Sequence, residues 1–132
     1  MAYSCNDSNV CTDDVCNGTG GCTNTRIAPA NLNPSGGAVV STMDVTMTWN
    51  ACAAPSTYEV EIDWQRADGT WADYFTYTNE PANSKTFYPC SSVAPGLPCN
   101  GDFRFRVRAH NGTSFGPWSS FVIWHWNNCR LC

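Results

Sequence analysis

The chain has 132 residues, a formal net charge of −4, two histidines and nine cysteines. A net negative charge does not attract phosphates, so nucleic-acid binding is not expected. No apolar run approaches the roughly 20 residues of a membrane span; the nearest is "FVIWHW" at 121–126. The start of the chain lacks the features of a signal peptide, so an exported protein is expected to be present here in its mature form.

The cysteine content indicates an oxidising compartment, because disulfides persist in secreted and cell-surface proteins and are rare in the cytosol. A zinc ribbon requires two C-x-x-C knuckles, and the sequence has one, at its C-terminal end. Disulfides are therefore expected, together with an extracellular or cell-surface location.

Residues 1–26 form the first of two predicted segments. The stretch "CNDSNVCTDDVCNGTGGCTN" consists mainly of Asx, Ser, Thr and Gly around Cys5, Cys11, Cys16 and Cys22. Such a stretch buries too little apolar surface to offset its ordering entropy, so crosslinks must hold it. Two internal bridges among the four cysteines are the expected solution.

Residues 27–132 form the second segment, in which apolar and polar residues alternate. The runs are "DVTMTW" (44–49), "YEVEIDW" (58–64), "FRFRVRA" (103–109) and "SFVIWHW" (120–126). A period of two, interrupted by turn residues, predicts an all-β antiparallel sandwich with one face of each sheet buried.

Several motifs of this second segment carry a family resemblance. "P-x-N-L-x-P-x-x-G" (29–37), "YEVEI" (58–62) and "DFRFRVRAHNGTSFGPWS" (102–119) resemble a fibronectin type III domain over roughly residues 28–126. The resemblance implies a seven-stranded, immunoglobulin-like sandwich. Phe103 stands where this family usually has a tyrosine that ties a corner of the fold, and a disulfide between Cys90 and Cys99 is the expected replacement.

The first segment carries a second resemblance. Its "CTDDVC" and "GCTNT" sequences are similar to the short cysteine-rich repeats of large bacterial surface proteins. Both resemblances imply an extracellular module that adheres or supports rather than catalyses.

Two charge triplets alternate along neighbouring strands of the implied sandwich. Glu59, Glu61 and Asp63 lie on the outward face of one strand, and Arg104, Arg106 and Arg108 on that of the other. Cross-strand pairing is the expected outcome. "GPWSSF" resembles half of the "W-S-x-W-S" sequence of cytokine-receptor sandwiches, which implies that Trp118 stacks between the arginines.

In "WADYFTY" (71–77) aromatic residues occur at both odd and even positions, so they point to both faces of the predicted strand. Since only one face is buried, some rings are expected to remain exposed as a contact surface for protein or glycan. The predicted binding surface consists of Trp71, Tyr74, Tyr77, Trp124 and Trp126.

Four oxygen-bearing side chains lie within eight residues of one another: Asp7, Asn9, Asp13 and Asp14. They are candidate calcium ligands, although the loop lacks the glycine and the distal glutamate of an EF-hand. Asx turns that bond their own backbone explain the same composition. No other cofactor is expected.

Asn6, Asn17 and Asn111 each begin an N-x-S/T sequon and are candidate glycosylation sites. "GTSFG" (112–116) matches the nucleophile elbow of α/β-hydrolases, but it falls in a hairpin rather than at a strand-to-helix turn. We interpret it as a chance match and expect no enzymatic activity.

The implied fold predicts the fate of the remaining cysteines. Cys52 would lie at the pole of the sandwich that adjoins residues 1–26, whereas Cys90, Cys99, Cys129 and Cys132 would lie at the opposite pole. A strand of seven residues is longer than 20 Å, and a disulfide requires Cα atoms within about 7 Å. The four far cysteines are predicted to pair among themselves, and Cys52 to be a buried thiol, to exchange with the adjacent segment, or to link two molecules.

The functional expectation is a non-enzymatic adhesion or structural module of a cell surface or appendage. Its expected partner is a protein, either a surface partner or copies of itself assembled into a fibre or filament. The alternative is a secreted carbohydrate-binding protein that uses exposed aromatic residues.

Overall fold

The computed structural model describes residues 4–54, 56–87 and 101–127. Within these ranges the structure consists of strands and loops, and no helix has the length and apolarity needed to cross a membrane. The strands are β1 (Thr12–Cys16), β2 (Cys22–Arg26), β3 (Ala38–Val40), β4 (Val45–Thr48), β5 (Thr57–Gln65), β6 (Trp71–Glu80), β7 (Ser84–Phe87), β8 (Gly101–His110) and β9 (Val122–Trp126).

β1 and β2 form a separate antiparallel hairpin, which we call the N-terminal hairpin. Its turn contains Gly18 and Gly20, both at positive φ, a conformation that favours glycine. The side-chain oxygen of Asn17 accepts hydrogen bonds from the backbone of Thr19 (2.8 Å) and Gly21 (3.0 Å), which fixes the turn.

The other seven strands of the described residues form two sheets. The larger has the order β3-β9-β8-β5-β6 and the smaller pairs β4 with β7. All pairings are antiparallel except that of β3 with β9, which is parallel. The prediction of an all-β, seven-stranded sandwich is confirmed, with this one parallel edge as a departure from it.

Side chains from both sheets fill one core, because alternate residues of each strand point inward. Trp124 and Trp126 are both fully buried there. The Trp126 ring nitrogen donates to the Thr42 carbonyl oxygen at 2.8 Å. Phe103 stacks on Trp124 with ring centroids 5.4 Å apart. The core residues are Leu32, Val45, Met47, Trp49, Tyr58, Val60, Ile62, Phe87, Phe103, Phe105, Val107, Ala109, Trp124 and Trp126.

The disulfides of the described residues correct the predicted cysteine arrangement. Cys11 is bonded to Cys52, and Cys5 is bonded to Cys22. Of the three fates predicted for Cys52, the buried thiol and the intermolecular link are wrong, and a bond with the adjacent segment is the one observed. The prediction of two bridges within residues 1–26 is wrong. The physical reason is that the hairpin lies against the loop after β4, which brings the Cα atoms of Cys11 and Cys52 to 5.3 Å.

The predicted pairing of Cys90, Cys99, Cys129 and Cys132 lies outside the described residues.

Candidate functional site

Three ion pairs cross the outer face of the larger sheet. They form because the antiparallel register of β5 and β8 places alternate acids opposite alternate bases. Arg104 Nε lies 2.9 Å from Asp63 Oδ2, and Arg108 Nη2 lies 2.6 Å from Glu59 Oε1. The pairs are Asp63–Arg104, Glu61–Arg106 and Glu59–Arg108. The predicted cross-strand pairing is confirmed.

Aromatic rings alternate with the three guanidinium groups. Each guanidinium carbon lies between 3.9 and 4.6 Å from the centroids of two rings. The predicted stacking of Trp118 between two arginines is confirmed. We call the whole set the arginine–aromatic ladder; in order it consists of Trp71, Arg104, Phe121, Arg106, Trp118, Arg108 and Phe115.

A cluster of three carboxylates lies beside the Trp71 end of the ladder. Ligand atoms of Glu61, Asp63 and Asp73 lie within 4.8 Å of one another. A register shift between β5 and β6 places Asp73 opposite Asp63. Asp63 is 2% exposed, and its Oδ1 receives no hydrogen bond from a described donor. Burial, followed by the neighbouring carboxylates, raises the pKa of Asp63, while Arg104 opposes this shift.

The N-terminal hairpin is fastened to one end of the sandwich by hydrogen bonds as well as by the Cys11–Cys52 bond. Arg26 Nη2 donates to the Ala109 carbonyl oxygen at 2.9 Å, and Arg26 Nη1 donates to the Ser114 carbonyl oxygen at 2.9 Å. Asn9 Oδ1 accepts from the backbone of Ala53 at 3.1 Å. The disulfide and these hydrogen bonds hold the hairpin against the β4–β5 loop, the end of β8 and the β8–β9 loop.

A polar cleft of about 280 Å³ remains where the hairpin meets the sandwich. Its walls include Asp7 and Asn24 on the hairpin side and Ser56 and Asn111 on the sandwich side. These side chains offer hydrogen-bond donors and acceptors, and none of the lining residues is aromatic.

The candidate calcium ligands are largely occupied by donors of the protein. Asp7 Oδ1 accepts from the backbone of Asn9 (2.9 Å), and Asp14 Oδ1 accepts from Asn24 Nδ2 (2.8 Å). The bond from Asn24 is the main cause that lowers the pKa of Asp14. Asp13 precedes Asp14 in β1 and therefore points to the opposite face of the hairpin. The Asx-turn interpretation accounts for these contacts, and calcium binding stays a prediction.

The aromatic residues predicted as one binding surface do not lie together. The prediction is wrong for Trp124 and Trp126. Both are fully buried, because they lie on the face of β9 that points into the core. Tyr74 and Tyr77 of β6 pack against the core. Loss of solvent around Tyr74 is the main reason that its pKa is raised to about 12. Trp71 lies on the opposite face, against Arg104.

The sequon asparagines are exposed, and each side-chain oxygen caps a local turn. Asn6 Oδ1 accepts from the backbone of Ser8 (2.8 Å), and Asn111 Oδ1 accepts from the backbone of Thr113 (3.0 Å). Asn17 has the same role in the hairpin turn. Their use as glycosylation sites stays a prediction.

The serine of "GTSFG" lies in the β8–β9 loop, as expected for a hairpin. Ser114 Oγ accepts from Arg26 Nη1 at 3.1 Å. His125 Nδ1 lies 2.8 Å from Asp102 Oδ1, and Asp102 is at the start of β8 whereas Ser114 follows its end. The strand therefore separates this serine from the His125–Asp102 pair.

Sequence reasoning missed several residues of these sites. Phe115 and Phe121 complete the ladder from positions outside the strands of the structure. Phe121 belongs to the alternating run 120–126, on the same parity as Ile123 and His125, and that parity was the available signal for it. Arg26 is the only arginine before residue 66, and that isolation in a Thr- and Asn-rich stretch was the available signal. Asp73 lies among the aromatic residues of β6, and no pattern in the sequence pairs it with Asp63.

Comparisons with known proteins bear on the fold. No family model and no curated protein matches the sequence. The FN1–FN3 domains of chicken CNTN1 are similar in structure, with 18% identity and a TM-score of 0.50 over 82% of this chain and 37% of that one. The sandwich has a fibronectin type III fold. An Fn3-like protein from Clostridium thermocellum aligns with 20% identity and a TM-score of 0.46, over 74% of this chain and 92% of that one.

At 18% identity the fibronectin type III likeness shows the fold alone, and the present chain spans little more than a third of the CNTN1 structure. The resemblance predicted for the sandwich is confirmed at this level. The resemblance of residues 1–26 to bacterial surface repeats stays a prediction.

Proposed function

We propose that this chain is a non-enzymatic adhesion or structural module that works outside the cell. The observation that carries the proposal is the Cys11–Cys52 disulfide, which crosslinks the N-terminal hairpin to the fibronectin type III sandwich. A crosslink between two elements prevents their separation under tension, which an adhesive or structural module experiences. Disulfides also favour an oxidising, extracellular compartment.

The distribution of polar side chains supports the same proposal. The arginines and acids of the sheet face are paired with one another and covered by rings, and Arg26 holds the β8–β9 loop. These groups stabilise the module, and the partner we propose is another protein, either a surface protein or further copies of the chain in a fibre.

The carbohydrate alternative has lost its structural support. Two of its five candidate residues, Trp124 and Trp126, are buried, and Trp71 stacks on Arg104. Sugars bind aromatic residues through free ring faces, and stacking on a guanidinium occupies such a face. No described observation favours this second function.

Adhesion under flow tests the proposal. Beads or cells that display the full chain are expected to stay attached to a surface coated with the same chain. The Cys11→Ser/Cys52→Ser double variant is expected to attach in still buffer but to detach at lower shear. Electron microscopy across a concentration series would show whether copies assemble into fibres.

Circular dichroism is the control that the double variant retains its sandwich. Equal shear resistance of the two proteins would contradict the mechanical role of the crosslink. Absence of both attachment and assembly in the parent protein would refute the adhesion proposal. Glycan-dependent attachment would instead revive the carbohydrate alternative.

A further inference from the structure

A buried carboxylate oxygen lacks a hydrogen-bond donor in the acid cluster of Glu61, Asp63 and Asp73. The Asp63 side chain is 4% exposed, and its Oδ1 receives no hydrogen bond from a donor of the described residues. Its Oδ2 accepts from Arg104 Nε at 2.9 Å, so Oδ1 is the oxygen left for a ligand. Leaving a buried polar atom without a partner costs free energy, and such atoms are rare in folded proteins. A ligand that contacts Oδ1 would remove that cost.

The spacing of the three carboxylates suits a single metal ion. One ligand oxygen each of Glu61, Asp63 and Asp73 lie within 4.8 Å of one another. Oxygens bound to one Ca²⁺ lie about 2.3–2.6 Å from the ion, so two of them are at most about 5 Å apart. One ion is therefore able to contact all three carboxylates. Asp73 is exposed, which leaves one side of the cluster open for the ion and for its water ligands.

The strand order separates the open side of the cluster from the arginines. β5 carries Glu61 and Asp63 and lies between β8, which carries the arginines, and β6, which carries Asp73. Arg104 pairs with Asp63 and Arg106 with Glu61 across the β5–β8 register. Two guanidinium groups thus face three carboxylates, and one negative charge is left over on the β6 side. A cation is the ligand that this charge attracts.

An irregularity in the backbone creates this arrangement. The β5–β6 register includes the Ile62–Phe75 pair, and its regular continuation would bring Tyr74 opposite the next residue of β5. A register shift follows, and it places Asp73 opposite Asp63 instead. Bulges of this kind re-aim side chains and are over-represented beside functional sites. The third carboxylate is therefore present because β6 departs from regular pairing.

We propose that Glu61, Asp63 and Asp73 bind a divalent cation, with Ca²⁺ as the expected ion. Asp63 supplies the buried ligand through Oδ1, and the other two carboxylates and water complete the coordination. Zn²⁺ prefers nitrogen and sulfur ligands, and Mg²⁺ requires a nearly ideal octahedron, whereas Ca²⁺ accepts irregular sets of oxygens. Because two of the acids are shared with arginines, we expect the weak affinity of extracellular calcium modules, a Kd of about 10⁻⁴–10⁻³ M. This inference goes beyond the adhesion proposal and does not depend on it.

Titration of the chelator-treated full chain with Ca²⁺ tests the site. The midpoint of thermal unfolding is expected to rise with the Ca²⁺ concentration, because an ion that binds only the folded state stabilises it. Tb³⁺ serves as a luminescent probe of the same site. Its emission is expected on excitation of tryptophan, because Trp71 stacks on Arg104, which is paired with Asp63. Added Ca²⁺ should displace Tb³⁺ and remove the emission.

Asp73→Asn is the variant that decides the proposal. It removes a charged ligand from the exposed side of the cluster, and Ca²⁺ affinity is expected to fall about tenfold or more, because affinity depends on the charge of the ligands. Asp68→Asn is the matched control in the β5–β6 loop. It removes the same charge, and an asparagine oxygen at this position still accepts from the Thr70 backbone, as Asp68 Oδ1 does at 2.9 Å. Its Ca²⁺ affinity is expected to equal that of the parent.

A second control separates this cluster from the candidate ligands of the N-terminal hairpin. The Asp7→Asn/Asp14→Asn double variant is expected to keep the Ca²⁺-dependent rise in unfolding midpoint, and near-ultraviolet circular dichroism reports that each variant is folded. Loss of the rise in the double variant, with its retention in Asp73→Asn, would overturn the proposal. Absence of any Ca²⁺ or Tb³⁺ response in the parent chain would do the same, and the carboxylates of Asp63 and Asp73 would then share a proton rather than a cation.

Discussion

Arg106 is the middle guanidinium of the arginine–aromatic ladder, and its replacement by alanine measures what the ladder contributes. Its guanidinium carbon lies 4.5 Å from the Trp118 centroid and 4.6 Å from the Phe121 centroid, and its Nε is paired with Glu61. A partly exposed cation–π contact contributes about 0.5–1 kcal/mol, and a partly exposed ion pair about 0.2–1 kcal/mol. With two such contacts and one ion pair, Arg106→Ala is expected to lower the free energy of unfolding by about 1–3 kcal/mol.

The measurement is denaturant unfolding under non-reducing conditions, followed by tryptophan fluorescence. The matched control is Arg106→Lys, which keeps the charge opposite Glu61 but loses the planar group between the rings, so an intermediate loss is expected. Adding salt should remove the ion-pair share of the difference and leave most of the ring share. If Arg106→Ala changes stability by less than about 0.5 kcal/mol, the ladder does not stabilise the fold as we argue. If it abolishes partner binding at unchanged stability, the arginines belong to a binding surface instead.

Three further predictions concern the acid cluster and the hairpin. Asp73→Asn should raise stability at neutral pH by about 0.5–1 kcal/mol, because it removes a like charge and offers an N–H near Asp63 Oδ1. The folded-state pKa of Asp63 lies above its ordinary value of 3.8. The stability that protonated Asp63 contributes is therefore fully present below pH 3.8 and is lost as the pH rises through the folded-state pKa. Unfolding curves across the acid range should therefore show a weaker pH dependence in the variant, and an unchanged dependence would contradict the assignment. The Cys11→Ser/Cys52→Ser double variant should lower the free energy of unfolding by roughly 4 kcal/mol or less, because the bond closes a loop with a sequence separation of 41. It should also make the hairpin accessible to limited proteolysis. A protease pattern like that of the parent would argue against the bond. Reduction should likewise expose residues 1–26 to protease, whereas a calcium chelator alone should change little; a large chelator effect would instead identify Asp7 and Asp14 as ligands.

The strands and the ion pairs could be predicted because both depend on local alternation. In β8 every second residue is apolar and buried, which leaves three arginines on the other face. The opposite triplet of β5 then required only that the two strands be neighbours. Period-two patterning carries both pieces of information.

The cysteine pairing could not be predicted in the same way, because it depends on where the hairpin lies rather than on spacing. No sequence pattern indicates that Arg26 reaches the Ala109 and Ser114 carbonyls, and this contact helps to bring Cys11 beside Cys52. The aromatic residues of β9 presented another difficulty. Both faces of β9 contain large apolar residues, so the sequence does not show which face is buried. In the structure Trp124 and Trp126 lie in the core, and Ile123 on the other face is 41% exposed.

The Cys11–Cys52 bond also determines how much chain a pulling force can extend. Tension applied upstream of Cys11 passes through the disulfide to Cys52 and reaches the sandwich at the start of β5, so β3 and β4 lie outside the stretched path. The sequence separation of 41 between the two cysteines corresponds to roughly 140 Å of fully extended chain. Reduction of this bond makes that stretch of chain extensible once β3 and β4 unfold, so the redox state of Cys11–Cys52 decides whether a pulling force acts on these two strands.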